Sequence, residues 1–217
     1  MQYKYYLHLF AGMAMLELGN LASSLAPFNV SAVSESLGAN SQESGLVVTL
    51  ELFFAAISSL FFGTVSYKGK ALAFCGSLIV ICSYFLCSIA SDVNQITFIK
   101  AFSGIGCGML IASGHSILAS SNDPNRSYAI FTIFASLTAA TLIYISSTWI
   151  EDGGHQNYFF NFIYVYLALS LFFIFANKIN QASADNAKGS ISNRFLYFLL
   201  ICLLYTSPSP RDKRQSR

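Results

Sequence analysis

Three charged side chains stand where charge is costly. Glu17, Glu51 and Lys100 each fall inside a long run of apolar residues. An ionised group in hydrocarbon costs at least ~2.5–3.5 kcal/mol, so such groups face a cavity or one another. Glu17 lies ten residues from either end of the run Leu7–Pro27, which at ~1.5 Å per residue puts it about 15 Å deep, at the midplane. Glu51 is six residues and Lys100 five residues in from the ends of their runs on one side, a shared depth of roughly 8–9 Å. In a low-dielectric site a carboxyl group holds its proton, and a nearby ammonium loosens it. A movement that joins or parts Glu51 and Lys100 would therefore load or release a proton. Glu17, with Asn20 one turn later, would supply a substrate or proton site. The plainer alternative is a fixed Glu51–Lys100 pair that locks two helices together, with Glu17 carrying a permanent proton.

Other reactive residue types carry less. His115 falls near the end of a run, where an interfacial histidine needs no further role. Ser113-Gly114 has part of a nucleophile motif, but Ile111 precedes it, and His8 and His155 are placed at the membrane surface and in a loop, too far to serve as a base. The cysteines Cys75, Cys82, Cys87, Cys107 and Cys202 all sit in apolar runs without CxxC spacing and read as small core residues. Asn29-Val-Ser31 and Asn125-Arg-Ser127 are formal glycosylation sequons. Thr132, Ser136, Thr138, Thr141 and Tyr144 could line a polar path or bond their own helix. Tyr158, Phe159, Phe160, Tyr164 and Tyr166 are expected in an interfacial belt. No catalytic constellation, metal site or cofactor is expected.

The elements that position these residues are membrane helices. The chain is 54% hydrophobic and 10% charged, against about 25% charged in a soluble domain, and no concentrated basic face exists to bind nucleic acid. A span needs roughly 20 mostly apolar residues. Six segments qualify: Leu7–Pro27, Gly45–Ser66, Ala71–Ala90, Gln95–Ser120, Tyr128–Ile150 and Tyr158–Asn177. Loop chemistry separates them at 29–44, 68–70, 91–92, 122–125 and 151–154. With the N-terminus inside the cell membrane, Lys4, Lys68, Lys70, Arg126, Lys178, Lys188 and Arg194 are all cytoplasmic. The outer loops then carry Glu35, Glu43, Asp92, Glu151 and Asp152 and neither Lys nor Arg, as the positive-inside rule requires.

Two motifs place these spans in a family. Gly63-Thr-Val-Ser-Tyr-Lys68-Gly69-Lys70, between the second and third spans, resembles the loop G-x-x-x-D-R-x-G-R-R of the major facilitator superfamily, without its Asp and one residue shorter. Lys100-Ala-Phe-Ser-Gly104-Ile-Gly106-Cys-Gly108 is similar to that family's fourth-helix pattern R-x-x-x-G-x-G-x-G, with Lys for Arg, and Asp123-Pro-Asn-Arg126 resembles the turn that follows it. Gly104 and Gly108 share a helix face and let backbones approach. The fifth span has neither Gly nor Pro in Phe134–Thr141, unlike the family's drug antiporters. The resemblance implies an all-α integral membrane fold, a six-helix bundle forming the first half of a transporter for a small solute. It also implies a cytoplasmic gate at Gly63, Lys68, Gly69 and Lys70.

The expected organisation is a bundle over 1–177, a cytoplasmic linker over 178–194 and the start of a seventh span over 195–201. The stretch Cys202-Leu-Leu-Tyr-Thr-Ser-Pro-Ser-Pro-Arg-Asp212 resembles the translation of a transposon-derived sequencing adaptor, so 202–217 is set aside from the fold. Without it the chain holds 8 basic and 9 acidic residues. On this reading the chain is a fragment whose partners are a solute, protons, the lipid bilayer and a second half of the same protein. A six-helix channel or sensor is the rival.

Overall fold

A computed structural model of the chain describes residues 2–63 and 69–176. The expected linker, seventh span and tail lie outside these residues, as does Lys68. The described residues belong to one unit built from helices.

The first span is broken. Helix α1 (Gln2–Ser24) stops at Leu25, and α2 (Ala26–Leu37) restarts with Pro27 in its first turn. Proline lacks an amide hydrogen and is tolerated there because that amide has no intrahelical partner anyway. The two helices meet at a bend of 50°. Helix α2 therefore occupies most of the segment expected to be loop from Asn29 to Ser44. It ends at Gly38, whose φ of 66° is the left-handed cap that glycine adopts cheaply.

Helix α3 (Ser41–Gly63) begins with a reciprocal cap. Asn40 Oδ1 accepts the amides of Gln42 and Glu43, each at 2.9 Å, and Glu43 returns a carboxylate oxygen to the Asn40 amide at 3.0 Å. Helices α4 (Gly69–Ile89) and α5 (Val93–Ala119) follow with a short turn between them. Helix α6 (Pro124–Ser170) starts with Asp123 accepting the Arg126 amide at 3.1 Å, and a 3-10 turn, Leu171–Phe175, extends it.

At 47 residues α6 is more than twice the length of one span. Its geometry leaves the helix at Gly153 and Gly154, the latter with φ 62° and ψ −151°. Two contacts show that the arms on either side run in opposite directions. Tyr128 of the first arm meets His115 near the end of α5 at 3.0 Å, and the Ile174 carbonyl beyond the second arm accepts Lys70 Nζ, at the start of α4, at 2.7 Å. The start of α4 and the end of α5 lie at the same end of the bundle, so residues 128 and 174 do too. The described residues thus make six passes. The expected break at 151–154 narrows to the two glycines, since Glu151 and Asp152 stay helical.

Helix α5 is the axis, packing on α3, α4 and α1. Glycines bring each neighbour close. A Cβ on Gly104 would lie 2.2 Å from the Glu51 carbonyl oxygen, and one on Gly108 2.5 Å from that of Ala55, both on α3. Gly106 faces Gly76 of α4, and Gly114 faces Gly12 and Leu16 of α1. Ser58 Oγ crosses the first seam to the Ile105 carbonyl at 2.7 Å. Phe53, Ile57, Leu60 and Phe61 of α3 and Ile133 and Leu137 of α6 are left exposed. Apolar side chains on the rim and small residues at the seams are what a bundle solvated by lipid requires.

Several sequence expectations change here. Cys75 and Cys82 lie on the exposed face of α4 rather than in the core, while Cys87 and Cys107 are buried. Asn29 is buried in α2 and is not presented as a glycosylation acceptor. Thr132, Thr138 and Thr141 each donate to the carbonyl four residues earlier in their own helix, so those donors are spent on the backbone and not on a polar path.

Candidate functional site

The packing of α3 on α5 buries one ion pair. Lys100 Nζ lies 3.0 Å from Glu51 Oε1, to which it donates, and 3.0 Å from Oε2, where it makes a charge contact without an aligned hydrogen bond. Neither side chain has exposed surface. Ser103, one turn after Lys100, donates its hydroxyl to Glu51 Oε1 at 2.9 Å. Aromatic faces complete the lining: the ammonium sits 4.2 Å from the ring centre of Tyr84 on α4 and 5.1 Å from that of Phe159 on α6. A cation over a ring face gains about 2 kcal/mol or more when desolvated. The carboxylate and two rings therefore compensate Lys100, and the Ser103 hydroxyl compensates Glu51, which a buried pair needs if it is to persist.

Glu17 is treated differently. Its side chain is 1% exposed in α1, and Oε1 has no hydrogen-bond partner among the described residues. The ammonium of Lys100 is engaged by Glu51 and not by Glu17. Asn20, one turn on, is half-buried, and its carbonyl accepts Ser23 Oγ at 2.8 Å. The structure thus joins Glu51 to Lys100 and leaves Glu17 as a separate buried acid. An ionised carboxylate held out of water without a donor is expensive, and uptake of a proton removes that cost.

The expected gate residues divide. Gly63 ends α3, Gly69 is buried at the start of α4, and Lys70 bonds the Ile174 carbonyl within its own bundle. Gly104 and Gly108 lie on the α3 seam beside the ion pair.

Six residues at or near the site went unrecognised in the sequence. Ser103 was legible as Lys100 plus one turn. Tyr84 had no local signal. Tyr158, Phe159 and Tyr166 were assigned to the interfacial belt but are fully buried around the pair, whereas Phe160 and Tyr164 are exposed. His155 was expected in a loop and is buried: its amide donates to Ser36 Oγ at 2.8 Å, and Nε2 donates to the Ala90 carbonyl at 3.0 Å. It ties the ends of α2 and α4 to the α6 turn. The adjacent Gly153-Gly154 was the available signal. Among the described residues no cluster of three or more His, Cys, Asp or Glu could hold a metal ion.

Six antiparallel passes around a glycine-lined axis, with ionisable groups buried between helices, define a multi-pass helical membrane protein. Residues 9–209 match the family model of the Major Facilitator Superfamily, and the chain belongs to that superfamily of membrane transporters. The match reaches into the 202–217 stretch. No curated protein and no solved structure matches the chain.

Proposed function

We propose that this bundle is one half of a secondary active transporter for a small solute. It is coupled to protons and works by alternating access against a second bundle of the same protein. The observation that carries the coupling is Glu17, a carboxyl group at the expected midplane, buried and with Oε1 unpartnered. Such a group alternates between a costly anion and a neutral acid, so its proton is exchanged when the surroundings open to water. The Glu51–Lys100 pair takes the second role. It lies inside the bundle on a seam where backbones touch, which favours a fixed pillar over a pair that parts in each cycle. The N-terminus is cytoplasmic in the cell membrane, by the distribution of Lys and Arg, and the protein is not an enzyme.

The test is transport by the full-length protein in liposomes. A pH-sensitive dye is trapped inside, a proton gradient is imposed, and amino acids, sugars, carboxylates and amines are added in turn. A solute of this panel is expected to move protons saturably, and Glu17→Gln to abolish the movement while solute exchange persists. Conductance without saturation would favour a channel. Full coupled uptake by Glu17→Gln would remove Glu17 from the proton path, and by Lys100→Ala would exclude the pair from coupling.

A further inference from the structure

A hydroxyl joins the wall around Lys100 to α1. Tyr166, fully buried in the second arm of α6, donates from Oη to the carbonyl of Leu18 at 2.8 Å. Leu18 follows Glu17 and precedes the bend at Leu25. Within a helix that carbonyl already accepts the amide four residues on, so Tyr166 is a second donor on a satisfied group. A buried tyrosine hydroxyl needs an acceptor, and this one finds it on the α1 main chain, which ties α6 to α1 beside Glu17. The same ring packs on Tyr84 with centroids 5.4 Å apart, and Tyr84 carries Lys100 on its face. Tyr84 also meets Phe162 at 5.9 Å, and Phe162 meets Trp149 edge-on at 5.4 Å.

We propose that Tyr166 is a positioning residue. Its hydrogen bond to Leu18 passes a shift of α1 at Glu17 into the aromatic wall of the Glu51–Lys100 pair. The inference rests on the reading of Glu17 as the proton site. A change of charge on Glu17 alters how α1 settles among its neighbours, and the Tyr166 bond carries that change to Tyr84 and Phe162. The ionisable groups facing this path are Glu17 on α1, Glu51 on α3, Tyr84 and Cys87 on α4, Lys100 and Cys107 on α5, and His155 and Tyr158 on α6. Tyrosine, cysteine and lysine ordinarily titrate above about pH 8. That leaves Glu17, Glu51 and His155, and the substitutions Glu17→Gln and His155→Gln tell Glu17 from the other two.

The chain contains one tryptophan, Trp149, which reports on the wall. In the purified 217-residue chain in lipid nanodiscs, its emission is expected to shift with pH. Glu17→Gln should lose the shift, and His155→Gln should keep it. Tyr166→Phe, which keeps the ring and loses the hydroxyl, should lose it while the infrared carboxyl band assigned to Glu17 still responds to pH. A full shift in Tyr166→Phe, or none in the wild type, overturns the positioning role. A shift that survives Glu17→Gln but not Tyr166→Phe upholds the Tyr166 contact and overturns Glu17 as the proton site. Hydrogen exchange in the wild type needs no substitution: residues 18–26 and 158–166 should respond with one common pH midpoint, and separate midpoints overturn the link.

Discussion

Lys100 Nζ is 3.0 Å from both carboxylate oxygens of Glu51, and neither residue has any exposed side-chain surface. Removing one member strands the other charge out of water, which costs about 3–5 kcal/mol. Lys100→Met and Glu51→Gln should each lower thermal stability in detergent by an amount of this order. The double variant should lose much less than the sum, since it leaves no unpaired charge. Additive losses in a double-mutant cycle would mean that the two side chains do not act as a pair.

The glycine seam makes a second, independent demand. At Gly104 a Cβ would stand 2.2 Å from the Glu51 carbonyl oxygen, which is main chain and cannot turn aside. Gly104→Ala is therefore expected to force α3 from α5 and to cost about 1–3 kcal/mol, as overpacking does. Gly45, also helical, has nothing within 4 Å of such a Cβ. Gly45→Ala should be neutral or stabilising by up to about 1 kcal/mol, the ordinary helix preference for alanine. Equal losses at the two sites, read as detergent melting temperatures, would exclude close backbone packing as the cause.

How far the sequence could be read follows from what each feature depends on. The spans were legible because desolvation acts on every residue of a helix at once, and about twenty apolar residues average out local exceptions. Glu51 and Lys100 could be placed at one depth because helical rise is constant. Depth says nothing of rotation, which is why Tyr84 remained invisible and Tyr166 was assigned to the belt. A tyrosine facing the core and one facing lipid have the same neighbours in sequence. Helix ends were hardest. Pro27 reads as a stop, but it starts α2, because the residue that breaks a helix internally is also a good first residue. His155 was placed in a loop for a related reason: only two glycines leave helical geometry, and the turn is shorter than the polar stretch suggests.

Gly154 supplies a conformational test of that turn. Its φ of 62° with ψ of −151° is a region almost confined to glycine, and a side chain there costs about 1–3 kcal/mol. A Cβ would also approach Ser36 Oγ to 2.5 Å, disturbing the hydroxyl that accepts the His155 amide. Gly154→Ala should loosen the ends of α2 and α4 together, seen as faster amide exchange at residues 34–37 and 87–90. His155→Ala should reproduce the loss at Ala90 with a smaller effect at Ser36, because the His155 amide is main chain and stays. Unchanged exchange in Gly154→Ala would show that the turn is not held by this knot.

Lys70 gives a prediction at the other end of the bundle. The resemblance placed it in a gate, yet its ammonium donates to the Ile174 carbonyl at 2.7 Å, where the last carbonyls of the sixth pass have no helical partner. A cation at a helix C-terminus is worth about 0.3–1 kcal/mol when exposed. Phe74, one turn after Lys70, packs edge-on against Phe173 at 5.6 Å and holds the same junction apolar. Lys70→Met should raise amide exchange at residues 171–176 about two- to fivefold, as that energy implies, while Lys70→Arg should restore most of the protection. The measurement needs no transport and no second bundle. If Lys70→Met leaves exchange unchanged yet impairs transport, the lysine acts as a gate and the bond to Ile174 is incidental.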